Sequence, residues 1–354
     1  MNKNISIDKT SQIPVYKQIV MIISSMIDSG ELKQGEMLPS MNELAEEYEI
    51  SKETVKKAYT TLRDKGLLEP HQGKGFFIKN DVETHKLKVL AIFDKLSTYK
   101  QILFNSMTER LDNHAEITIL LHEQNVETME YFLNENLDNF DYYVIAPHFP
   151  HDAATQEKVR TLLKKVPNRK LIMTDNWIKS IHGNYGAVYQ DWENDIIQGL
   201  GEGLNRFKNY NRLNVITLPS SLYARTIRAG VEKFCKDNDI CVTYSDVVIS
   251  ENVRKGEAYL LLSGQYDFGL IELARLAKKK GLAVGKDIAI ISYNESPISE
   301  IILNGLTTVS TDFIQMGQLI GDMILKRQLK KVHCDIRMTR RESFYIFYKR
   351  ACRI

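Results

Sequence analysis

The stretch that decides the reading is LPSMNELAEEYEISKET, residues 38–54, followed soon after by HQGKGFF, residues 71–77. Pro39 and Ser40 form a helix start signal, and Ser40 with Glu43 three residues on has the spacing of a capping box. Leu44, Ala45 and Tyr48 can then face inward. Ile50 and Ser51 interrupt this helix, and Ser51 with Thr54 opens a second one, in which Val55, Ala58, Tyr59 and Leu62 share a face and Gly66 marks the stop. Upstream, VYKQIVMIISSMIDSG, residues 15–30, sets Ile19, Ile22, Ile23, Met26 and Ile27 at helical spacing, with Gly30 where a C-cap belongs. Three helices are expected, the second and third joined by a very short turn. LLEPHQGKGFFIK, residues 67–79, then supplies two short apolar strands around Gly73 and Gly75, which permit a tight hairpin.

The apolar stripe of the third helix leaves Lys52, Glu53, Lys56, Lys57 and Thr60 on its far side, toward the N-terminal half. That is the side a DNA groove meets in a helix-turn-helix, where the second helix of the pair reads bases with its N-terminal residues. A hairpin carrying His71, Gln72 and Lys74 at its tip suits a wing that touches the neighbouring backbone or minor groove. Charge is polarised to match. Residues 28–49 are strongly acidic, with Lys33 as the lone basic residue, whereas residues 52–80 are rich in lysine; on charge alone this suits equally a face toward a polyanion and a merely solvated charged face. GKG alone is no phosphate loop, since no GxxxxGK[ST] follows a strand here.

Residues 11–79, with IPVYKQI, LPSMNELAEEYEISKETVKKAY, LRDKGLL and GKGFF, resemble the winged-helix domain of GntR-family transcription regulators. The resemblance implies DNA contacts at Ser40, Lys52, Thr54, Lys56, Gln72 and Gly73. Ser51, Lys57 and Lys74 join them from the helix face and the hairpin tip. Asn42 stands where the family often has arginine, and Lys52 and Lys56 stand where arginines are common. The paired hydrogen bonds that arginine makes to guanine are not on offer at those positions.

At 354 residues, 43% hydrophobic and 26% charged, the chain can bury more than one core, and at about 150 residues per domain two or three units are expected. The start MNKNISIDKTSQIPVYKQ has no apolar segment after its lysine, and no run approaches the roughly 18 apolar residues that span a membrane. Cys235, Cys241, Cys334 and Cys352 form no CxxC pair, so idle thiols in a reducing cytoplasm are expected, with neither a zinc site nor a disulfide framework. The division expected is residues 1–80 as winged helix, 81–86 as a polar linker, and 87–354 as a second domain.

Beyond residue 80, strand-like runs such as KVLAIFD, DYYVIAPH, KLIMTD, LNVITLP, YLLLSG and DIAIISYNE alternate with helical patterns such as QILFNSMTERLDNH, DIIQGLGEGLNRF, ARTIRAGVEKFCKDN and FGLIELARLAKKKG. Such alternation predicts an α/β domain of parallel sheets wrapped by helices and split into two lobes. Ligands of open α/β sheets bind beyond the C-terminal strand ends, which singles out Asp94, Lys95, His148, Asp175, Trp177, Asp191, Arg225, Asp267, Asn294 and Glu295. Carboxylates, amide, arginine and aromatics together suit a sugar, with paired hydrogen bonds to hydroxyls and rings against C–H faces.

ARTIRAGVEKF, GLAVGKDIAIISYNESP and GLTTVSTDFIQMGQLIGDMIL resemble the effector domain of LacI/GalR repressors, itself similar to periplasmic sugar-binding proteins, loosely from Lys88 to the end, with the tail RESFYIFYKR like that family's final strand. The resemblance implies effector contacts at Asp175, Asn294 and Arg225. Ile227 stands where the family arginine usually falls, and Tyr266 stands for the family's asparagine before Asp267. A GntR head on a LacI-like body resembles the arabinose-responsive repressors. It implies a homodimer on a pseudo-palindromic operator, released by a pentose such as arabinose or a deoxyhexose such as fucose. Two alternatives stay open: a body that only dimerises, and a sugar that acts as co-repressor. No GxSxG, HExxH or GxGxxG accompanies the carboxylates, so neither an enzyme nor a cofactor is expected.

Overall fold

The computed structural model describes residues 7–9, 11, 13–71, 73–79, 86–217, 222–262 and 268–345. They form two compact units, Met1–Lys86 and Leu87–Ile354. The expected linker, residues 81–86, lies outside the described residues except for Lys86.

In the first unit, α1 (Val15–Asp28) runs to a turn at Gly30, whose φ of +74° suits a residue without a side chain. In α2 (Met41–Glu47) the capping box is complete: Ser40 Oγ accepts from the Glu43 amide at 3.2 Å and Glu43 Oε2 accepts from the Ser40 amide at 2.7 Å. Glu49, at φ +49°, turns the chain into α3 (Lys52–Asp64), whose first turn is held by the Thr54 amide donating to Ser51 Oγ at 3.1 Å. Val55, Ala58, Tyr59 and Leu62 of α3 bury against Ile19, Ile23 and Ile27 of α1 and Leu44 of α2. Tyr59 also donates its hydroxyl to the Pro39 carbonyl at 2.8 Å, tying α3 to the entry of α2. β1 (Leu68–His71) and β2 (Gly75–Ile78) pair antiparallel with Leu68 opposite Ile78, placing both inward in the same core.

The second unit holds two six-stranded sheets. Lobe 1 is built from β3 (Leu87–Phe93), α4 (Thr98–Leu111), β4 (Ala115–Leu121), α5 (Val126–Asn136), β5 (Tyr142–Ile145), α6 (Ala153–Lys165), β6 (Leu171–Asp175) and β7 (Gly186–Tyr189). The chain then crosses into lobe 2: α7 (Trp192–Gly201), α8 (Leu204–Phe207), β8 (Arg212–Ile216), α9 (Ala224–Asp237), β9 (Val242–Ser245), β10 (Glu257–Leu261), α10 (Phe268–Lys279), β11 (Ala289–Tyr293) and β12 (Thr307–Thr311). It returns to lobe 1 for α11 (Phe313–Leu325) and β13 (Lys331–His333), and ends in lobe 2 with β14 (Ile336–Thr339). Three crossings, near 190, 312 and 334, therefore join the lobes.

The strand orders are β13-β7-β6-β5-β3-β4 and β14-β12-β11-β10-β8-β9, the same path twice. All pairings in the sheets are parallel except β12 with β14. Strands buried on both faces explain why β5 and the stretch Val89–Phe93 of β3 are apolar at successive positions. The repeat carries a local signature: Asp175 ends β6 and Asn294 follows β11, each in the left-handed region at φ +68° and +71°, so equivalent strands of the two lobes end in the same sharp turn.

Two expectations need correction. DIIQGLGEGLNRF is not one helix: it breaks at Gly201–Gly203 into α7 and α8, because glycine weakens the helix and a side chain at 203 would meet Met338 Sδ at 2.7 Å. Of the tail RESFYIFYKR only residues 341–345 are described and they form no strand; residues 346–350 lie outside the described residues. Arg341–Phe344 form a turn, with Ser343 Oγ donating to Ile290 O at 2.7 Å, and the last described strand is β14.

Candidate functional site

On the first unit, Lys52, Lys56 and Lys57 all lie exposed on one side of α3, opposite its buried face. Lys56 Nζ stands 3.6 Å from Glu53 Oε1 with both side chains in water, a pair worth little and easily exchanged for a phosphate. Lys57 is more committed, its ammonium 4.1 Å from the Tyr16 ring centroid of α1. Ser40, Ser51 and Thr54 are helix-cap groups, and the Ser51 and Thr54 hydroxyls share a hydrogen bond of 2.8 Å. Asn42, Gly73 and Lys74 are exposed, and Gln72 lies outside the described residues.

In the second unit the strand ends bring together a buried polar cluster. Lys100, in the first turn of α4 and 1% exposed, forms an ion pair with Asp94 and stands 3.6 Å from Asp175 Oδ2. Asp175 is fully buried at the end of β6 and accepts a hydrogen bond from Gln190 Nε2. His148 Nε2 lies 2.8 Å from Asp175 Oδ2, at ion-pair distance. Burial draws the Lys100 ammonium down to about 8 against the pull of Asp175, and burial followed by the Lys100 charge draws the His148 imidazole down to about 4. For Asp175, burial works upward, but His148, Lys100 and Gln190 together hold the carboxyl well below the usual range.

Gln190 sits on the first crossing and touches both lobes. While its Nε2 donates to Asp175, its Oε1 accepts from Thr311 Oγ1 at 2.6 Å and from the Tyr293 hydroxyl at 3.5 Å, both residues of lobe 2. Aromatic rings close the other side. Trp192 stacks on Tyr223 with ring centroids 3.7 Å apart, His148 meets Tyr223 edge-on at 4.9 Å, and Tyr99 packs on Phe313 at 4.6 Å. His151 Nε2 also reaches Leu222 O at 3.0 Å, so lobe 1 touches the start of α9 directly. Among the described residues, Ser97 Oγ, Tyr223 OH and Asn294 Oδ1 are buried polar atoms without a hydrogen-bond partner, and His148 Nε2 and Asp175 Oδ2 have only each other and Lys100 nearby. All lie at or just beyond the C-terminal strand ends, in a molecule whose buried polar groups are otherwise mostly paired.

Of the residues singled out in the sequence, Asp94, His148 and Asp175 meet in this cluster, and Asn294 stands one residue beyond Tyr293, which touches Gln190. Lys95 is exposed at the rim. Trp177 does not join: its indole donates to the Tyr185 hydroxyl at 3.0 Å and packs on Tyr189 at 4.7 Å, in the outer core layer of lobe 1. Asp191 accepts from the Asn194 side-chain amide at 3.0 Å at the start of α7 and makes no side-chain bond to the helix backbone. Glu295 is engaged by Thr308 Oγ1 at 2.6 Å and Arg341 Nη1 at 2.9 Å. Arg225 is exposed on α9, apart from the cluster's described contacts, and Tyr266 and Asp267 lie outside the described residues. Sequence reasoning missed Lys100, Gln190, Trp192, Tyr223 and Thr311.

Residues 15–78 match the family described as bacterial regulatory proteins, gntR family, and residues 260–343 match the periplasmic binding protein-like domain. The arabinose metabolism transcriptional repressor of Geobacillus stearothermophilus is 22% identical over 351 residues, covering 90% of this chain and 92% of that protein. Among solved structures, the dimeric Lac repressor with an 11-residue C-terminal deletion aligns over 73% of this chain and 99% of its own, with TM-score 0.58 and 18% identity. A periplasmic binding protein/LacI transcriptional regulator from Alkaliphilus metalliredigens QYMF, complexed with D-xylulofuranose, aligns over 73% of this chain and 99% of its own, with TM-score 0.55 and 12% identity.

Proposed function

We propose that this chain, a gntR-type winged-helix head joined to a periplasmic-binding-protein-like body, is a DNA-binding transcriptional repressor whose body binds a monosaccharide. It acts as a cytoplasmic homodimer on a pseudo-palindromic operator, since two recognition helices related by a two-fold axis read two half-sites. The observation that carries the sensor half is the convergence of unpartnered buried polar atoms on the crossing between the lobes, beside the rings of Tyr99, Trp192 and Tyr223. Leaving such groups unpaired costs about 1–3 kcal/mol each, and a ring with several hydroxyls satisfies them. The whole-length likeness to an arabinose repressor supports a pentose or a small deoxyhexose as the ligand, as does the fold shared with a regulator complexed with D-xylulofuranose. These relatives and solved structures are regulators, which supports a sensor rather than an enzyme.

In the head, Lys52, Lys56, Lys57 and Lys74 supply phosphate contacts and Asn42 and Thr54 lie toward the bases, with Ser40 and Ser51 holding the caps that aim them. In the body, effector binding favours one lobe arrangement through Asp175 and Asn294, and the linker carries that change to the heads. A thermal-shift series with pentoses and hexoses tests the sensor: sugar at 100 times its Kd adds about 2.7 kcal/mol of apparent stability. Asp175→Ala and Asn294→Ala should remove that shift while operator binding without sugar stays intact. A variant that keeps its full shift would show that the site is elsewhere.

A further inference from the structure

We infer that the cleft selects its ligand by charge: it takes an uncharged polyhydroxyl ring and rejects the phosphorylated and carboxylated forms of the same sugar. This rests on the sugar-sensor reading above and adds what that reading leaves open. Asp94 and Asp175, both buried, share the single ammonium of Lys100. His148 Nε2 lies 2.8 Å from Asp175 Oδ2, but burial and the Lys100 charge outweigh that attraction and draw its imidazole down to about 4, so it is neutral near pH 7. The described floor therefore carries one negative charge in excess.

The cations that could answer an anionic ligand are engaged or stand outside. Arg341 Nη1 holds Glu295 at 2.9 Å and Arg337 Nη2 holds Asp312 at 3.1 Å. The Arg228 guanidinium covers the Tyr244 ring at 3.8 Å. Arg225 and Lys95 are exposed to water rather than buried at the floor. The positive N-terminal end of α4 lies at this floor, but Lys100 in its first turn is already answered there by Asp94 and Asp175. A phosphoryl group would bring a charge of about −1.5 to −2 into a buried site whose described floor is already negative and holds no arginine. Hydroxyls fit instead, because they can donate to Asp175 Oδ2 and Asn294 Oδ1 and accept from or donate to His148 Nε2 as its tautomer requires.

Calorimetric titration of the full chain with matched sets decides the point: L-arabinose, D-ribose, D-galactose and D-glucose, each beside its terminal phosphate ester and, for the hexoses, its uronic acid. At least one neutral sugar should bind, with its charged counterparts weaker by about a hundredfold. Asp94→Asn, which removes the excess charge, should narrow that gap tenfold or more. If the tightest ligand is a phosphate ester or an acid, or if charged and neutral forms bind alike, charge selection is overturned while the sugar-sensor reading stands. If no member of any class binds, the sensor reading falls, and charge selection with it. An unchanged gap in a folded Asp94→Asn variant would remove the buried carboxylate as its cause.

Discussion

Buried between Asp94 and Asp175, Lys100 sits within the first turn of a helix, where a sequence reader expects a solvated cation. Nothing in the local pattern distinguishes it from an exposed lysine, because its burial is imposed by β6, a strand contributed from seventy residues away. Asp94, His148 and Asp175 could be singled out because each directly follows an apolar run, at the strand ends where open parallel sheets hold ligands, and the fold brings the three together. Trp177 follows the same rule, but its half-buried ring packs on Tyr189 and its indole donates to the Tyr185 hydroxyl, outside this cluster's described contacts. The histidines yield a prediction of pH dependence. His148 and His122 both have folded values near 4, His122 chiefly through burial, against about 6.5 unfolded. Between those values the unfolded chain binds more protons than the folded one, so stability falls as pH drops from about 6.5 to 4. Urea unfolding of the body across that window should show the loss. His122→Gln should flatten it, and an unchanged slope in that variant would show that this ring does not titrate as its burial demands.

Elements were legible in proportion to the length and regularity of their patterns. α1, α3 and the wing hairpin stand where periodicity and glycines put them, and β3, β5, β6, β8, β10 and β11 arise from the expected apolar runs. β9, with the sequence VTYS and every residue only partly buried, gives no such signal. α5 carries Val126, Met129 and Leu133 at helical spacing, a pattern that was available. The close helix pairs depend on glycine. A side chain at Gly317 of α11 would meet Leu103 O of α4 at 2.4 Å, whereas one at Gly201 of α7 would meet nothing within 4 Å. Gly317→Ala should therefore destabilise the body by about 1–3 kcal/mol as an overpacked contact, while Gly201→Ala should be neutral or slightly stabilising; chemical denaturation of the pair measures both. On α3, Lys52→Ala and Lys56→Ala should each lower the slope of log affinity against log salt by about one unit, because each variant leaves one DNA phosphate without its cation. Operator titrations across a salt series read this directly, and unchanged slopes in both variants would remove α3 from the interface.

At the scale of the whole molecule, the two lobes follow one strand order twice and are joined by three crossings, so motion of one lobe against the other turns on few residues. Gln190 occupies the first crossing and holds Asp175 of lobe 1 and Thr311 of lobe 2 with one amide. The alternation of strands and helices made the two-lobed α/β class legible, but not this bridge, because β12 and the end of β7 meet only in the folded chain. A ligand at Asp175 that prefers one setting of the bridge can alter operator affinity only as far as it binds the two settings unequally. The most direct measurement is operator affinity of the full chain titrated with a sugar already shown to bind it. Repression relieved by sugar predicts that operator affinity falls as the site fills and levels off at saturation; an affinity that stays constant through saturation, or rises, would contradict it.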